Sequence, residues 1–277
     1  MRVVEIRVKS ALSRSGLPEY DYALNPYLGC SHGCRYCYAK DFTRGEPGEK
    51  WGEVVYVKVN LPEVLAREVR SLEPGVVGVS TITDPYQPIE AKYRLTRKSL
   101  EILLGAGFRA SIQTKSTYVL KDMDLLFVHR RAVDVGLTIT TFRPEVAKAL
   151  EPGAPPPRAR AAALSYIAEL GVRTWVFLGP IIKGVNDSED DWRPVLEVAA
   201  RTHSEVTIDR YRPRPGADLM LASIGVRPAA DPAWWSALAA KIKGECASLG
   251  LVCRTAEEEW REARSRGRGG VGLDKFL

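Results

Sequence analysis

Three of the chain's five cysteines lie in one short stretch, NPYLGCSHGCRYCYAKD, at residues 25–41. Cys30, Cys34 and Cys37 have the spacing C-x3-C-x2-C, and thiolates are the soft ligands that zinc and iron–sulfur clusters select. A structural zinc or an electron-transfer cluster normally has four protein ligands. A cubane cluster held by three cysteines leaves one iron open. The spacing therefore predicts a metal centre that binds a further molecule.

The residues around this loop carry a family resemblance. The pattern C-x3-C-x-aromatic-C, with Tyr36 as the aromatic residue, resembles the signature of the radical S-adenosylmethionine (SAM) superfamily. Further segments, between about residue 20 and about residue 215, resemble its spore photoproduct lyase-like branch. They are TITDPYQPIE (81–90), LTR (95–97), TKS (114–116), LEPGAPPPRAR (150–160) and VFLGPIIKGVND (176–187).

The resemblance implies an enzyme with two cofactors, a [4Fe-4S] cluster and SAM. In the superfamily the open iron chelates the amino and carboxylate groups of SAM. An electron from an external donor then cleaves SAM to methionine and a 5′-deoxyadenosyl radical, which abstracts hydrogen from the substrate. The implied fold is α/β, a partial (β/α)6 TIM-like barrel at residues 1–215, followed by a small C-terminal helical extension and basic tail at residues 216–277.

The hydrophobic pattern by itself favours alternating strands and helices. Apolar runs at Val76–Ile82, Phe108–Thr114 and Val133–Thr141 alternate with segments of helical periodicity such as Thr96–Ala106. Such alternation is typical of right-handed βαβ units and a parallel sheet, either open or curled into a barrel. Polar segments follow the apolar strands, so we expect one active face at the carboxyl ends of the strands.

Six residues are predicted to bind SAM: Tyr36, Thr83, Asp84, Lys115, Thr138 and Thr140. Lys115 matches a lysine that contacts the SAM carboxylate in spore photoproduct lyase-like proteins, by a charge-assisted hydrogen bond. Asp84, assisted by Thr83, either accepts from the SAM amino group or caps the turn that follows it. Thr138 and Thr140 would share one face of a strand, although the β-propensity of threonine explains them equally well. Tyr36 contacts adenine or packs against the loop.

Tyr86, Gln87 and Tyr93 are expected to line the substrate pocket, and the two tyrosines are candidate hydrogen-atom donors. Spore photoproduct lyase returns hydrogen from a cysteine near the end of its second strand. The corresponding residues here, VSTITD at 79–84, contain no cysteine, which argues against that enzyme's own reaction. Cys246 and Cys253 either approach the site, pair with each other or are buried as small apolar residues.

Three arginines follow the sixth predicted strand. Arg210, Arg212 and Arg214, together with Lys183, would form a basic rim that suits phosphates or nucleic acid. A solvated loop with one arginine touching SAM is equally compatible with the sequence. The net charge of +6 permits an anionic partner without requiring one.

Other functions are possible on sequence alone. A zinc ion held by the three cysteines and His32, or by a more distant cysteine, would make a non-catalytic nucleic-acid-binding module. The radical chemistry could also act on a protein, a peptide or a small metabolite. No apolar run approaches the 18 or more residues of a membrane span. No signal peptide is evident, so we expect a cytoplasmic protein that does not bind membranes.

Overall fold

Residues 1–265 are described by a computed structural model, in which eleven strands and twelve helices follow one another. The strands are β1 (Arg2–Ile6), β2 (Leu12–Arg14), β3 (Tyr22–Leu24), β4 (Tyr27–Leu28), β5 (Val54–Lys58), β6 (Val76–Val79), β7 (Arg109–Thr114), β8 (Val133–Thr138), β9 (Arg173–Ile181), β10 (Glu205–Arg210) and β11 (Cys253–Thr255). Most are short and rich in valine and other β-branched residues, which favours extended backbone.

The main sheet has eight strands in the order β11-β10-β9-β8-β7-β6-β3-β2. All neighbours from β3 to β11 are parallel, and only β2 is antiparallel to its partner. The six strands from β3 to β10 are the predicted barrel strands. The sheet is not closed on itself, so the predicted partial barrel is confirmed.

Helices cover the outer face of this sheet. The helices are α1 (Ala39–Phe42), α2 (Glu46–Glu49), α3 (Leu61–Glu68), α4 (Glu90–Tyr93), α5 (Leu95–Gly105), α6 (Met123–Val128), α7 (Pro144–Leu150), α8 (Pro157–Glu169), α9 (Glu189–Arg201), α10 (Pro215–Ala222), α11 (Pro232–Ser248) and α12 (Ala256–Ser265), with a 3₁₀ helix at Thr117–Asp122. Their apolar faces bury Leu65, Leu103, Leu164 and Leu196 in one core with the strands. Burial on both faces is what a parallel sheet requires.

A second, three-stranded sheet lies beside the barrel in the order β1-β5-β4. The predicted first barrel strand, Tyr22–Gly29, is therefore divided between two sheets. β3 belongs to the barrel and β4 to the small sheet, and Pro26 between them has no amide hydrogen to donate to a continuing ladder. This division brings the cysteine loop, which follows β4, to the rim of the barrel.

The C-terminal part packs on the barrel. Trp235 and Ile242 of α11 belong to the same core as the barrel strands, and β11 extends the main sheet beyond β10. Cys246 and Cys253 form a disulfide, with Cα atoms 6.2 Å apart. The division into residues 1–215 and 216–277 stays a prediction, and the basic end of the tail, residues 266–277, lies outside the described residues. Among the described residues, every helix is too short or too polar to span a membrane.

Candidate active site

The three cysteines of the loop line one wall of a cavity of about 560 Å³ inside the barrel. Cys30 and Cys34 are buried, and Cys37 is half-buried. Burial raises the pKa of all three thiols, that of Cys34 to about 12. The thiols therefore stay protonated until a positively charged centre binds them, because metal binding is what converts buried thiols to thiolates.

The donor set fits an iron–sulfur cluster by its chemistry: three soft sulfur atoms on one loop, facing a cavity. Gly29 and Gly33 have φ of 81° and 58°, the left-handed region that glycine adopts at least cost. A Cβ at Gly29 would lie 2.5 Å from the carbonyl oxygen of Val54. Within residues 1–265, no three His, Cys, Asp or Glu side chains, the three cysteines included, are placed to hold a single metal ion. A cubane cluster binds each cysteine through a different iron, so its ligands stand farther apart than those of a single ion.

Gln87 holds the backbone on both sides of Cys30. Its Oε1 accepts from the Ser31 amide at 2.9 Å, and its Nε2 donates to the Gly29 carbonyl at 3.3 Å. Thr83 Oγ1 donates to the same carbonyl at 2.6 Å and accepts from Gln87 at 3.0 Å. Gln87 is fully buried and does not line the cavity. The prediction that it lines a substrate pocket is therefore wrong, since its amide is used to position the loop.

Asp84 connects three segments at the carboxyl ends of the strands. Its carboxylate accepts from the Tyr86 amide at 2.9 Å, the Thr114 hydroxyl at 2.7 Å and the Lys115 amide at 2.8 Å. The His32 imidazole lies 3.3 Å away. Burial alone would raise the pKa of Asp84, but His32 and these donors hold it at about 2. Asp84 is thus ionised and caps the turn, the second of its two predicted roles, while also lining the cavity.

Lys115 lies in the cavity wall beside the cysteines. Its Nζ is 5.5 Å from the centre of the Tyr36 ring, and the Tyr36 hydroxyl donates to Glu151. Glu151 forms a fully buried ion pair with Arg160 at 2.5 Å. Burial lowers the pKa of Lys115, but its electrostatic interactions with Cys34 and the Glu151 carboxylate outweigh this effect, and the net shift is upward. A permanent positive charge therefore faces the cavity.

The two threonines at the end of the fourth barrel strand, β8, are placed differently. Thr138 lines the cavity and accepts from Gln113 Nε2 at 3.2 Å. Thr140 is fully buried near Glu151 and is not part of the wall. The prediction that both face the interior is wrong for Thr140, because β8 ends at Thr138 and strand alternation stops there.

Neither candidate tyrosine reaches the cavity. Tyr86 is fully buried in the core, and its hydroxyl donates to Asp122 at 3.0 Å. Tyr93 donates to Glu5 at 2.6 Å on the outer surface. The prediction that they line a substrate pocket is wrong for both, since neither belongs to the cavity wall. Their role as hydrogen-atom donors stays an untested prediction.

Two of the three predicted phosphate-binding arginines are neutralised by carboxylates. Arg212 donates to both oxygens of Asp209 at 2.6 Å and to Glu257 at 2.6 Å. Arg210 lies 3.4 Å from Glu257. Both side chains line the cavity, but their charge is already paired.

The remaining members of the predicted basic rim are separated. Arg214 lines the cavity, with its guanidinium 5.4 Å from the centre of the Phe42 ring. Lys183 pairs with Asp231 at 2.6 Å and is not part of the cavity wall. Carboxylates therefore interrupt the predicted basic rim, and its role in binding phosphate stays a prediction.

The sequence model of the radical SAM superfamily matches residues 24–193, which is more than half of the chain. The chain belongs to the radical SAM superfamily. Enzymes of this superfamily use a [4Fe-4S] cluster to cleave SAM reductively, so the chain is an enzyme, and the predicted cofactors are those of its family.

Other radical SAM and uncharacterized proteins are similar to this chain. An uncharacterized protein of Methanocaldococcus jannaschii is 36% identical over 191 residues, 68% of this chain and 71% of the relative. The radical SAM Nα-GlyT isomerase of Pseudomonas phage M6 is 24% identical over 188 residues, 67% of this chain and 38% of the isomerase. Several further relatives are matched over 63% to 65% of their own length.

The fold is that of solved radical SAM enzymes. Spore photoproduct lyase complexed with dinucleoside spore photoproduct superposes with a TM-score of 0.71 and 17% identity, over 92% of this chain and 81% of the lyase. At this identity the likeness concerns the fold alone.

The radical SAM cavity is also lined by five carboxylates that the sequence pattern did not single out: Glu19, Asp134, Glu205, Asp209 and Glu259. Asp134 and Asp209 each interrupt an apolar strand, VDVGLT and EVTIDR, which is a usable signal in sequence. Glu19 lies in a loop and Glu259 on α12, and no local pattern places either in a barrel.

Proposed function

We propose that Cys30, Cys34 and Cys37 hold the cluster of this radical SAM enzyme, and that SAM binds beside them in the barrel cavity. The observation that carries this proposal is the position of the three thiols in the same cavity wall as Lys115. The residues proposed to contact SAM are those predicted ones that line the cavity, namely Tyr36, Thr83, Asp84, Lys115 and Thr138. Thr140 is left out because it lies outside the wall.

When bound, the reduced cluster supplies the electron that cleaves SAM to methionine and a 5′-deoxyadenosyl radical. The chain's own residues bind SAM and orient it beside the cysteine loop. Lys115 offers a permanent ammonium group to the SAM carboxylate. Gln87 and Thr83 fix the backbone next to Cys30, so the loop keeps one geometry. The enclosing barrel limits the access of water to the reacting groups.

Two substrate classes follow for the abstraction step. A nucleic acid is the first, since spore photoproduct lyase, which shares the fold, was crystallised with a dinucleoside photoproduct. Arg214, which lines the cavity, would contact a phosphate of such a substrate. A protein, peptide or small metabolite is the second, and the pairing of Arg210 and Arg212 with carboxylates favours it. We also propose an external electron donor and a cytoplasmic location.

The test is anaerobic reconstitution with iron and sulfide, followed by dithionite and SAM, with 5′-deoxyadenosine as the readout. We expect 5′-deoxyadenosine from the wild type and none from Cys34→Ala. The double variant Cys246→Ala/Cys253→Ala is the matched control and should keep the activity, since neither residue lines the cavity. If the protein is colourless, binds zinc and forms no 5′-deoxyadenosine, the enzyme proposal is wrong and the non-catalytic metal-binding module is favoured instead.

The substrate classes are separated by adding DNA, RNA, or a peptide and metabolite extract to the same assay. If only one of these additions speeds 5′-deoxyadenosine formation over the rate without an addition, that addition contains the substrate class.

A further inference from the structure

The barrel cavity contains what we call the inner carboxylate cluster, formed by Glu19, Asp134, Asp209 and Glu259. Each comes from a different element: the loop before β3, strand β8, strand β10 and helix α12. The tertiary fold therefore gathers four acids into a cavity that already holds the cysteine loop.

Two members of the cluster have their own partners. Asp209 is paired with Arg212 through two contacts of 2.6 Å. Asp134 accepts from the Ser111 hydroxyl at 2.6 Å and from the Trp175 indole at 2.9 Å. These two carboxylates are satisfied by the protein.

The other two members lack a counter-ion. Glu259 accepts from the Thr207 hydroxyl at 2.7 Å, and Glu19 is hydrogen-bonded to Trp260. Glu19 Oε2 is buried and has no hydrogen-bond partner among the described residues. Across residues 1–265, no lysine, arginine or histidine forms an ion pair with either. Two acids are thus held close together in a cavity without an ion-paired partner, although the charge of Arg254 partly offsets the rise in the pKa of Glu259.

The pKa of both acids is raised to about 7, chiefly by burial, and the charge of Glu19 contributes to the shift of Glu259. A buried carboxylate without a partner is costly, and the cost is removed by protonation or by a cation. A cation that enters the cavity would release these protons.

A second unsatisfied group faces the same space. Ser80 is 7% exposed and lines the cavity, and its hydroxyl has no hydrogen-bond partner. Buried polar groups in folded proteins are normally paired, so the Ser80 hydroxyl is available to a polar group of a molecule bound in the cavity.

The character of the wall identifies the ligand as organic. Aromatic side chains line the cavity beside the acids, among them Tyr20, Tyr38, Trp175 and Trp260. Aromatic faces attract organic cations and also pack against apolar groups.

We infer that the enzyme binds its substrate through an amino group, held as an ammonium ion by Glu19 and Glu259, with the adjoining carbon skeleton against the aromatic wall. Ser80 supplies a hydroxyl to a second polar group of the substrate. The inference rests on the proposed function, because the same cavity must bring the substrate to the SAM-derived radical. It names the substrate class, an amine, that the proposed function leaves open.

Three probes of matched shape and different charge test the inference: benzylammonium, benzyl alcohol and benzoate. Binding to the reconstituted full-length protein is measured by titration calorimetry and saturation-transfer NMR, with and without SAM. We expect benzylammonium to bind at least about tenfold more tightly than benzyl alcohol, because charge-assisted hydrogen bonds are strong in a cavity. Benzoate should bind least.

The pH dependence of the wild type gives a test that needs no variant. Both acids must be ionised to hold the cation, so benzylammonium binding should tighten as the pH rises from about 6 to about 8, through their raised pKa values. Binding of benzyl alcohol should not change over this range. Ammonium binding that is flat with pH would overturn the inference.

The variant Glu19→Gln/Glu259→Gln should remove the preference for benzylammonium over benzyl alcohol. Glu63→Gln, at an exposed position outside the cavity, is the matched control and should bind as the wild type does. Equal binding of alcohol and ammonium by the wild type would overturn the inference. These measurements need no turnover, so they fail independently of the 5′-deoxyadenosine assay, whose failure would instead refute the proposed function.

Discussion

At the scale of single residues, the site depends on buried polar side chains whose hydrogen bonds go mainly to neighbouring backbone groups. Gln87 uses both ends of its amide on backbone groups beside Cys30, and Asp84 uses its carboxylate on two backbone amides and a hydroxyl. Both sit in the segment TITDPYQPIE that marked the family resemblance. The segment thus matters in this chain chiefly because it fixes the cysteine loop.

Replacing Gln87 by methionine should therefore weaken the protein and its cluster together. The variant keeps the side-chain volume but leaves the Ser31 amide and the Gly29 carbonyl with fewer partners, at a cost of about 1–3 kcal/mol in the free energy of unfolding. Denaturant unfolding measures this cost, and iron and sulfide per chain after gel filtration measure cluster retention, which should fall.

The control for Gln87→Met introduces the same side chain at an exposed position, Lys92. Lys92→Met should change the free energy of unfolding by no more than about 0.5 kcal/mol and leave the iron content unchanged. If Gln87→Met retains both full stability and full iron content, the amide does not position the loop.

At the scale of elements, a segment from the far side of the barrel supports the cysteine loop. The end of α7 and the chain that follows it bind the loop through two backbone hydrogen bonds. The Arg35 amide donates to the Leu150 carbonyl at 2.8 Å, and the Gly153 amide donates to the His32 carbonyl at 2.9 Å. The two backbones approach so closely that only glycine fits at position 153.

Gly153→Ala should push this segment away from the loop. A Cβ at position 153 would overlap the Ser31 carbonyl oxygen and lie 3.0 Å from the Cα of His32. Neither atom can yield cheaply, because both belong to backbone. We expect loss of stability of about 1–3 kcal/mol, as for overpacking elsewhere, and reduced iron retention.

Gly244→Ala is the matched control for this substitution. Gly244 lies inside α11, where a Cβ would meet no atom within 4 Å. Alanine should raise the stability by about 0.5–1 kcal/mol through helix propensity. Equal effects of the two alanines would show that position 153 is not sterically restricted.

At the scale of the whole molecule, the C-terminal part completes the cavity. Helix α12 contributes Glu259 and Trp260 to the wall, although about 230 residues separate them from the cysteines. The disulfide between α11 and β11 ties the preceding segment to the edge of the sheet. Disulfides are uncommon in cytoplasmic proteins outside hyperthermophiles, so its contribution is worth measuring.

Cys246→Ala/Cys253→Ala should lower the free energy of unfolding by about 2–3 kcal/mol, because the bridge closes a short loop in the unfolded chain. Urea unfolding with and without a strong reductant measures the effect. Reductant should bring the wild type to the level of the variant and leave the variant unchanged. A wild type that is insensitive to reductant would mean that the two thiols are not bonded.

The distribution of charge also belongs to this scale. The chain carries a net charge of +6, yet the cavity wall has six acidic and six basic side chains among the described residues, His32 aside. Arg210 and Arg212 are predicted from their sequence position to bind phosphate, but Asp209 and Glu257 neutralise them. The composition gives only the net charge, whereas the fold determines which opposite charges lie next to each arginine.

The sequence by itself determined the chemistry of the centre and the order of the elements. The spacing of Cys30, Cys34 and Cys37 is local, and strand and helix periods are local as well, so both could be read along the chain. Lys115 and Thr138 were also placed correctly in the cavity wall, since each stands at the carboxyl end of a parallel strand.

Only the tertiary structure decided which side chains meet. Thr140 lies outside the cavity wall because β8 ends at Thr138. Tyr86 and Gln87 are buried away from the cavity because a buried hydroxyl or amide must lie where its hydrogen bonds can be made. Glu19 and Glu259 are brought together from opposite ends of the chain. Such long-range contacts leave no periodic trace in sequence, and the proposed amine site depends on them.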